Sequence, residues 1–154
     1  MSAVTYQVAC DRGDLPDEAA VARWVAAALT DQPADAELVV RVVGADEARD
    51  LNRAYRGRDY PTNVLSFPVE APPEFGDQPE IGDLVICAEV VAREAAEQGK
   101  PLDHHWAHMV VHGALHCLGF DHMADAEAAR MEDAERRILA GLAIPDPYGE
   151  SVAP

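Results

Sequence analysis

The chain has 154 residues, 49% of them apolar and 26% charged, with 12 basic side chains against 28 acidic ones and a formal net charge of -16. That length can bury a core without disulfides or a structural metal, and the composition excludes a disordered or fibrous chain. The charge argues against nonspecific adhesion to nucleic acid, which depends on Lys and Arg displacing counterions from phosphates.

One domain spanning residues 1–154 is expected. The opening run MSAVTYQVACDRGD lacks a basic segment followed by an apolar one, and no window approaches the roughly 18 apolar residues of a membrane span. No membrane partner is therefore expected. Cys10, Cys87 and Cys117 are odd in number, widely spaced and set among apolar residues. They read as buried free thiols in a reducing compartment, which makes the cytoplasm the expected location.

In chain order, AVTYQVA alternates as a strand, and LPDEAAVARWVAAALTD carries Val21, Trp24, Val25, Ala28 and Leu29 at helical spacing behind an acidic start. ELVVRVVG reads as a β-branched strand. ADEARDLNRAYRG follows as a short helix with Ala48, Leu51 and Tyr55 inward, stopped at Gly57. NVLSF, closed by Pro68, is a third strand, and the Pro-, Gly- and acid-rich run from Glu70 to Asp83 is an exposed loop. DLVICA gives a fourth strand and EVVAREAAEQ a helix ending at Gly99. These elements predict an α+β fold, a mixed sheet of about four strands packed with about five helices.

Within it, Arg41, Arg49, Arg53, Arg56 and Arg58 place five of the twelve basic residues in one eighteen-residue window. Two readings stay open, a local basic patch or arginines paired to Asp46, Glu47 and Asp50.

The segment from Pro101 to Leu118 contains no Lys, Arg, Asp or Glu after Asp103. At about 100° per residue, Trp106, Met109, Val110, Gly113, Ala114 and Cys117 share one face, which predicts a buried helix. His104, His105, His108, His112 and His116 fall in a second stripe roughly 120° wide. The last helix, from Asp125 to Leu142, is amphipathic through Ala128, Met131, Ile138 and Leu142, before the breaks at Pro145 and Pro147.

Two histidines at i and i+4 on a helix, such as His112 and His116, project side by side as a tetrahedral metal requires. A third ligand needs a turn out of the helix; Gly119 permits one and His122 follows it. Three protein ligands leave a fourth position open, the mark of a catalytic site. His104, His108 and His112 are collinear and cannot converge on one tetrahedral centre, so the N-terminal histidines are expected to line or support the site. Cys117 points away and belongs to the core.

A zinc peptidase of this spacing carries a glutamate after the first histidine, where this chain has Gly113. Either the metal site needs no adjacent carboxylate, or the reaction is not peptide hydrolysis. Phosphodiester cleavage, which builds negative charge on oxygen, is better served by a cation.

The runs YRGRDYPTNVLSFP, GDLVIC, EQGKPLDHHWAHMVVHGALHCLGFDH and the closing DPY, in this order over nearly the whole chain, resemble the YbeY family of single-strand-specific endoribonucleases. The resemblance implies one divalent metal ion per chain, with zinc the first candidate, held by His112, His116 and His122. It implies catalytic roles for His112 and for Arg56, which would bind the scissile phosphate, with Thr62 and Asn63 along the RNA groove. It also implies a place in maturation of the small-subunit rRNA 3′ end and in ribosome quality control. Single-stranded rRNA, small-subunit proteins and assembly factors would be the partners. Two other expectations remain: a zinc peptidase with an unconventional base, and a non-catalytic assembly factor with a structural metal.

Overall fold

Alternating apolar residues in the strands build a sheet with a core on each face. In the computed structural model, which describes residues 3–32, 36–69, 80–120 and 125–148, the order is β1 (Ala3–Ala9), α1 (Glu18–Ala28), β2 (Glu37–Val43), α2 (Ala45–Arg56), β3 (Val64–Pro68), β4 (Glu80–Cys87), α3 (Ala88–Gln98), α4 (Leu102–Cys117) and α5 (Asp125–Gly141). The four strands lie in the order β1-β2-β4-β3. β1, β2 and β4 run parallel, and β3 closes one edge antiparallel to β4, pairing Leu65 with Val85 and Phe67 with Asp83. The α+β fold with a mixed four-stranded sheet and five helices is as expected.

The period-two alternation of β4 divides the core. Leu84 and Ile86 join Leu38, Val40 and Val42 of β2 under α1, α4 and α5, whereas Val85 and Cys87 face a smaller cluster with Ala48 of α2 and Val90 of α3. α4 lies at the centre of the larger layer, and Trp106, Met109, Val110, Gly113, Ala114 and Cys117 are all buried, matching the expected face.

Three expectations need correction. β4 starts at Glu80, so Glu80 to Gly82 belong to the strand rather than to a loop; residues 70–79 lie outside the described residues. Gly82 allows this close packing, since a Cβ there would lie 2.7 Å from the Phe67 carbonyl oxygen and 2.8 Å from the Cys117 Sγ. On α2, Tyr55 is 67% exposed, and the inward position belongs to Asn52, which is fully buried and donates from Nδ2 to the Tyr60 carbonyl at 2.8 Å. Cys10 is only half-buried, although Cys87 and Cys117 are core thiols.

Gly113 is a packing requirement. A Cβ there would lie 2.8 Å from Leu84 Cδ2 and 3.1 Å from Val64 Cγ2, so a side chain would run into the sheet. Restoring the peptidase-like glutamate should fail for that reason. Gly113→Glu is expected to lose more than about 3 kcal/mol in urea melts, through overpacking plus a buried unpaired carboxylate; a variant of wild-type stability would contradict this placement.

Candidate metal centre and phosphate cleft

The histidine ladder of α4 forms as its spacing requires, with ring centroids 6.1 Å apart for His105 and His108, 6.0 Å for His108 and His112, and 4.7 Å for His112 and His116. The Nε2 atoms of His112 and His116 face each other across 3.2 Å. Two nitrogens bound tetrahedrally to zinc at about 2.0–2.1 Å stand roughly 3.3 Å apart.

The opposite ring nitrogens explain this orientation. His112 Nδ1 lies 2.8 Å from Glu135 Oε1, and His116 Nδ1 lies 3.1 Å from the Phe120 carbonyl oxygen. Burial alone would raise the Glu135 carboxyl, but hydrogen bonds from His108 and His112 outweigh it and bring the pKa down to about 2. An ionised carboxylate and a carbonyl only accept hydrogen bonds, so each imidazole donates from Nδ1, and in its neutral form turns a lone pair inward from Nε2.

The turn after α4 supplies the second acceptor. Gly119 adopts φ +99°, with its N–H on the His116 carbonyl at 3.0 Å and the Phe120 N–H on the Leu115 carbonyl at 3.0 Å. This is the left-handed cap that Gly119 allows, and it swings the Phe120 carbonyl back over His116. His122 lies outside the described residues.

Glu135 is the residue that sequence reasoning missed. It is fully buried on α5, with its Oε1 also 3.0 Å from His108 Nε2 and its Oε2 accepting from the Tyr148 hydroxyl at 2.8 Å. The signal was its place on the apolar stripe, four residues after Met131 and four before Leu139, both buried. His108, His112 and Glu135 offer ligand atoms all within 4.8 Å of one another, a buried group that could hold a metal ion. Burial lowers the His108 pKa against the pull of Glu135. His108 thus lies within this group, bonded to Glu135. Cys117 takes no part, because burial first, and then Asp83, push its thiol up to about 12.

Beside His116 opens a cleft of about 330 Å³ lined by Arg56, Ser66, Pro68, His116, Gly119 and Phe120. Arg56 ends α2, where Gly57 caps the helix at φ +69° and its N–H bonds the Arg53 carbonyl. The basic window resolves into two groups. Arg41 pairs with Glu47, Arg49 with Asp59, and Arg53 with Asp50 and Asp59. Arg58 donates to the Tyr60 hydroxyl, and Arg56 has no carboxylate partner among the described residues.

Thr62 and Asn63 do not line that cleft. Thr62 is half-buried on the turn into β3. The Asn63 amide donates to Glu94 at 3.1 Å and its Oδ1 accepts from the Val64 N–H, while Glu94 also bonds buried His105 at 2.9 Å. Burial works to raise the Glu94 carboxyl, but the bonds from His105 and Asn63 outweigh it and hold it below its usual 4.5. A carboxyl depressed by folding stabilises above its unfolded pKa, and that contribution is lost as pH falls through the folded value. Glu94→Gln protein should therefore lose less Tm than the wild type between about pH 7 and about pH 3; equal acid sensitivity would contradict this.

Residues 10–143 match the family model described as Endoribonuclease YbeY. A protein of Alkalilimnicola ehrlichii named Endoribonuclease YbeY is 64% identical over 148 residues, covering 94% of this chain and 89% of the relative. One of the same name from Stutzerimonas stutzeri is 57% identical, covering 90% and 86%. The solution structure of a Thermotoga maritima protein, 19% identical with a TM-score of 0.57 over 98% of this chain and 99% of that one, shares the fold. No helix among the described residues is long and apolar enough to cross a membrane.

Proposed function

The chain belongs to the endoribonuclease YbeY family, which supports a nuclease role, and from that premise we propose that it is a metal-dependent endoribonuclease acting on single-stranded rRNA. The observation that carries the metal reading is the pair of inward Nε2 atoms 3.2 Å apart on His112 and His116. Two lone pairs so placed repel unless a cation lies between them. We favour this pair, with His122 as third ligand, over the group that includes His108 and Glu135. In that group Glu135 already accepts hydrogen bonds from both histidines.

A divalent ion there, zinc first among candidates, would supply Lewis acidity at a phosphodiester. Arg56, across the cleft from His116, presents a planar fork of donors to the same phosphate and stabilises the charge gathering on its oxygens. Exposed Tyr55, its ring 5.0 Å from Phe67, offers a face to an unstacked base. Asn63 acts on this substrate through the strand entry it fixes with Glu94, and Thr62 borders that entry.

Processing at the small-subunit rRNA 3′ end, in the cytoplasm, belongs to the same proposal. The net charge of -16 gives RNA little general attraction, so small-subunit proteins and assembly factors would hold substrate and enzyme together. Nothing favours a peptidase, since the position of its glutamate faces Leu84 and Val64.

The zinc-loaded protein is expected to cut an unstructured RNA oligonucleotide and to spare both casein and the same RNA in a duplex. Chelation should stop cleavage and added zinc restore it. Casein cleavage lost in His116→Ala would overturn the proposal.

A further inference from the structure

The closing DPY run has no part in the cleft, yet the structure ties it to the metal centre. Asp146 accepts from Arg136 Nε at 3.0 Å and from the Tyr148 N–H at 2.8 Å, and the Arg136 guanidinium lies 5.5 Å from the Tyr148 ring centroid. This turn, anchored on α5, brings the Tyr148 hydroxyl to Glu135 Oε2 at 2.8 Å, while Oε1 receives His112 Nδ1 at 2.8 Å and His108 Nε2 at 3.0 Å.

We propose that Glu135, held by Tyr148, is a positioning residue that fixes the His112 tautomer and thereby sets the metal affinity of the site. The inference rests on the reading of His112 as a ligand through Nε2. Each donor around the carboxylate has one job. Tyr148 and His108 stop the group from rotating, and His112 must then offer its proton from Nδ1. Without the carboxylate, the His112 proton would move to Nε2, where the His116 Nε2 at 3.2 Å can accept it. Metal binding would then have to break that hydrogen bond and move the proton back.

The test uses zinc alone with a competing chromogenic chelator, and imidazole nitrogen shifts of the metal-free protein. Glu135→Met removes the acceptor with little change of volume, and it should weaken zinc binding by about 10- to 100-fold, the usual effect of losing such a partner. In the same variant the His112 shifts should report an Nε2 proton, whereas the wild type reports Nδ1. Glu135→Gln keeps an acceptor oxygen and should retain the wild-type tautomer and most of the affinity.

Tyr148→Phe keeps the ring over Arg136 and loses only the hydroxyl, so it should weaken binding about tenfold, and it covers the case in which Glu135→Met does not fold. Wild-type zinc affinity in Tyr148→Phe, or an Nδ1 proton on His112 in a folded Glu135→Met, would overturn the proposal. Zinc affinity and tautomer are read without RNA, so a wild type that cleaves nothing would sink the nuclease reading alone.

Discussion

His116→Ala protein is expected to fold, to lose its metal and to cleave RNA no faster than background. The side chain is only half-buried, and its hydrogen bond to the Phe120 carbonyl is worth about 0.5–1.5 kcal/mol, so folding should survive the loss. His112→Ala is a less clean variant, since it also removes a donor from buried Glu135. Loss of an outer partner alone costs about 10- to 100-fold in metal affinity, so loss of a ligand should exceed 100-fold. Metal analysis after gel filtration and a fluorescent RNA assay check both parts together. A metal-free but fully active His116→Ala protein would remove His116 from the mechanism.

Arg56→Glu should show the opposite split, with metal content unchanged and cleavage reduced by at least about 10³-fold. Deleting one electrostatic donor to a transition state costs about 10²–10³, and reversing its charge adds repulsion of the phosphate. The side chain is exposed and has no carboxylate partner among the described residues, so its replacement leaves no ion pair broken. Arg49 is a useful control, because it already pairs with Asp59 through two hydrogen bonds, and Arg49→Ala should keep most activity. Equal losses in both variants would indicate a general field of charge instead of a specific phosphate contact.

How much of this was legible in the residues depends on the kind of signal each gives. The α4 core face and the histidine ladder follow from helical period alone, and the absence of charge after Asp103 marks the helix as buried. Gly119 as the exit turn was equally legible, because its position after the helix needs a left-handed residue.

Glu135 was not, because a carboxylate on an amphipathic helix normally belongs to the wet face; only the donors from His108, His112 and Tyr148 make its burial tolerable. Asn52 hides for a similar reason, buried by virtue of the Tyr60 carbonyl eight residues on. Gly113 was visible as a missing base, but its cause lies in Leu84 and Val64, which only the packing of α4 on β3 and β4 brings near. Arg56 stands apart from Arg41, Arg49 and Arg53 through tertiary ion pairs, two of which reach across six and ten residues.

A metal on the inward face of His112 and His116 is proposed to make this family member a nuclease. Titrating metal-free protein with zinc, while following bound metal and RNA cleavage in the same sample, tests it most directly. Cleavage is predicted to rise in proportion to bound zinc and to level off at one ion per chain. Full cleavage by protein that holds no metal would contradict it.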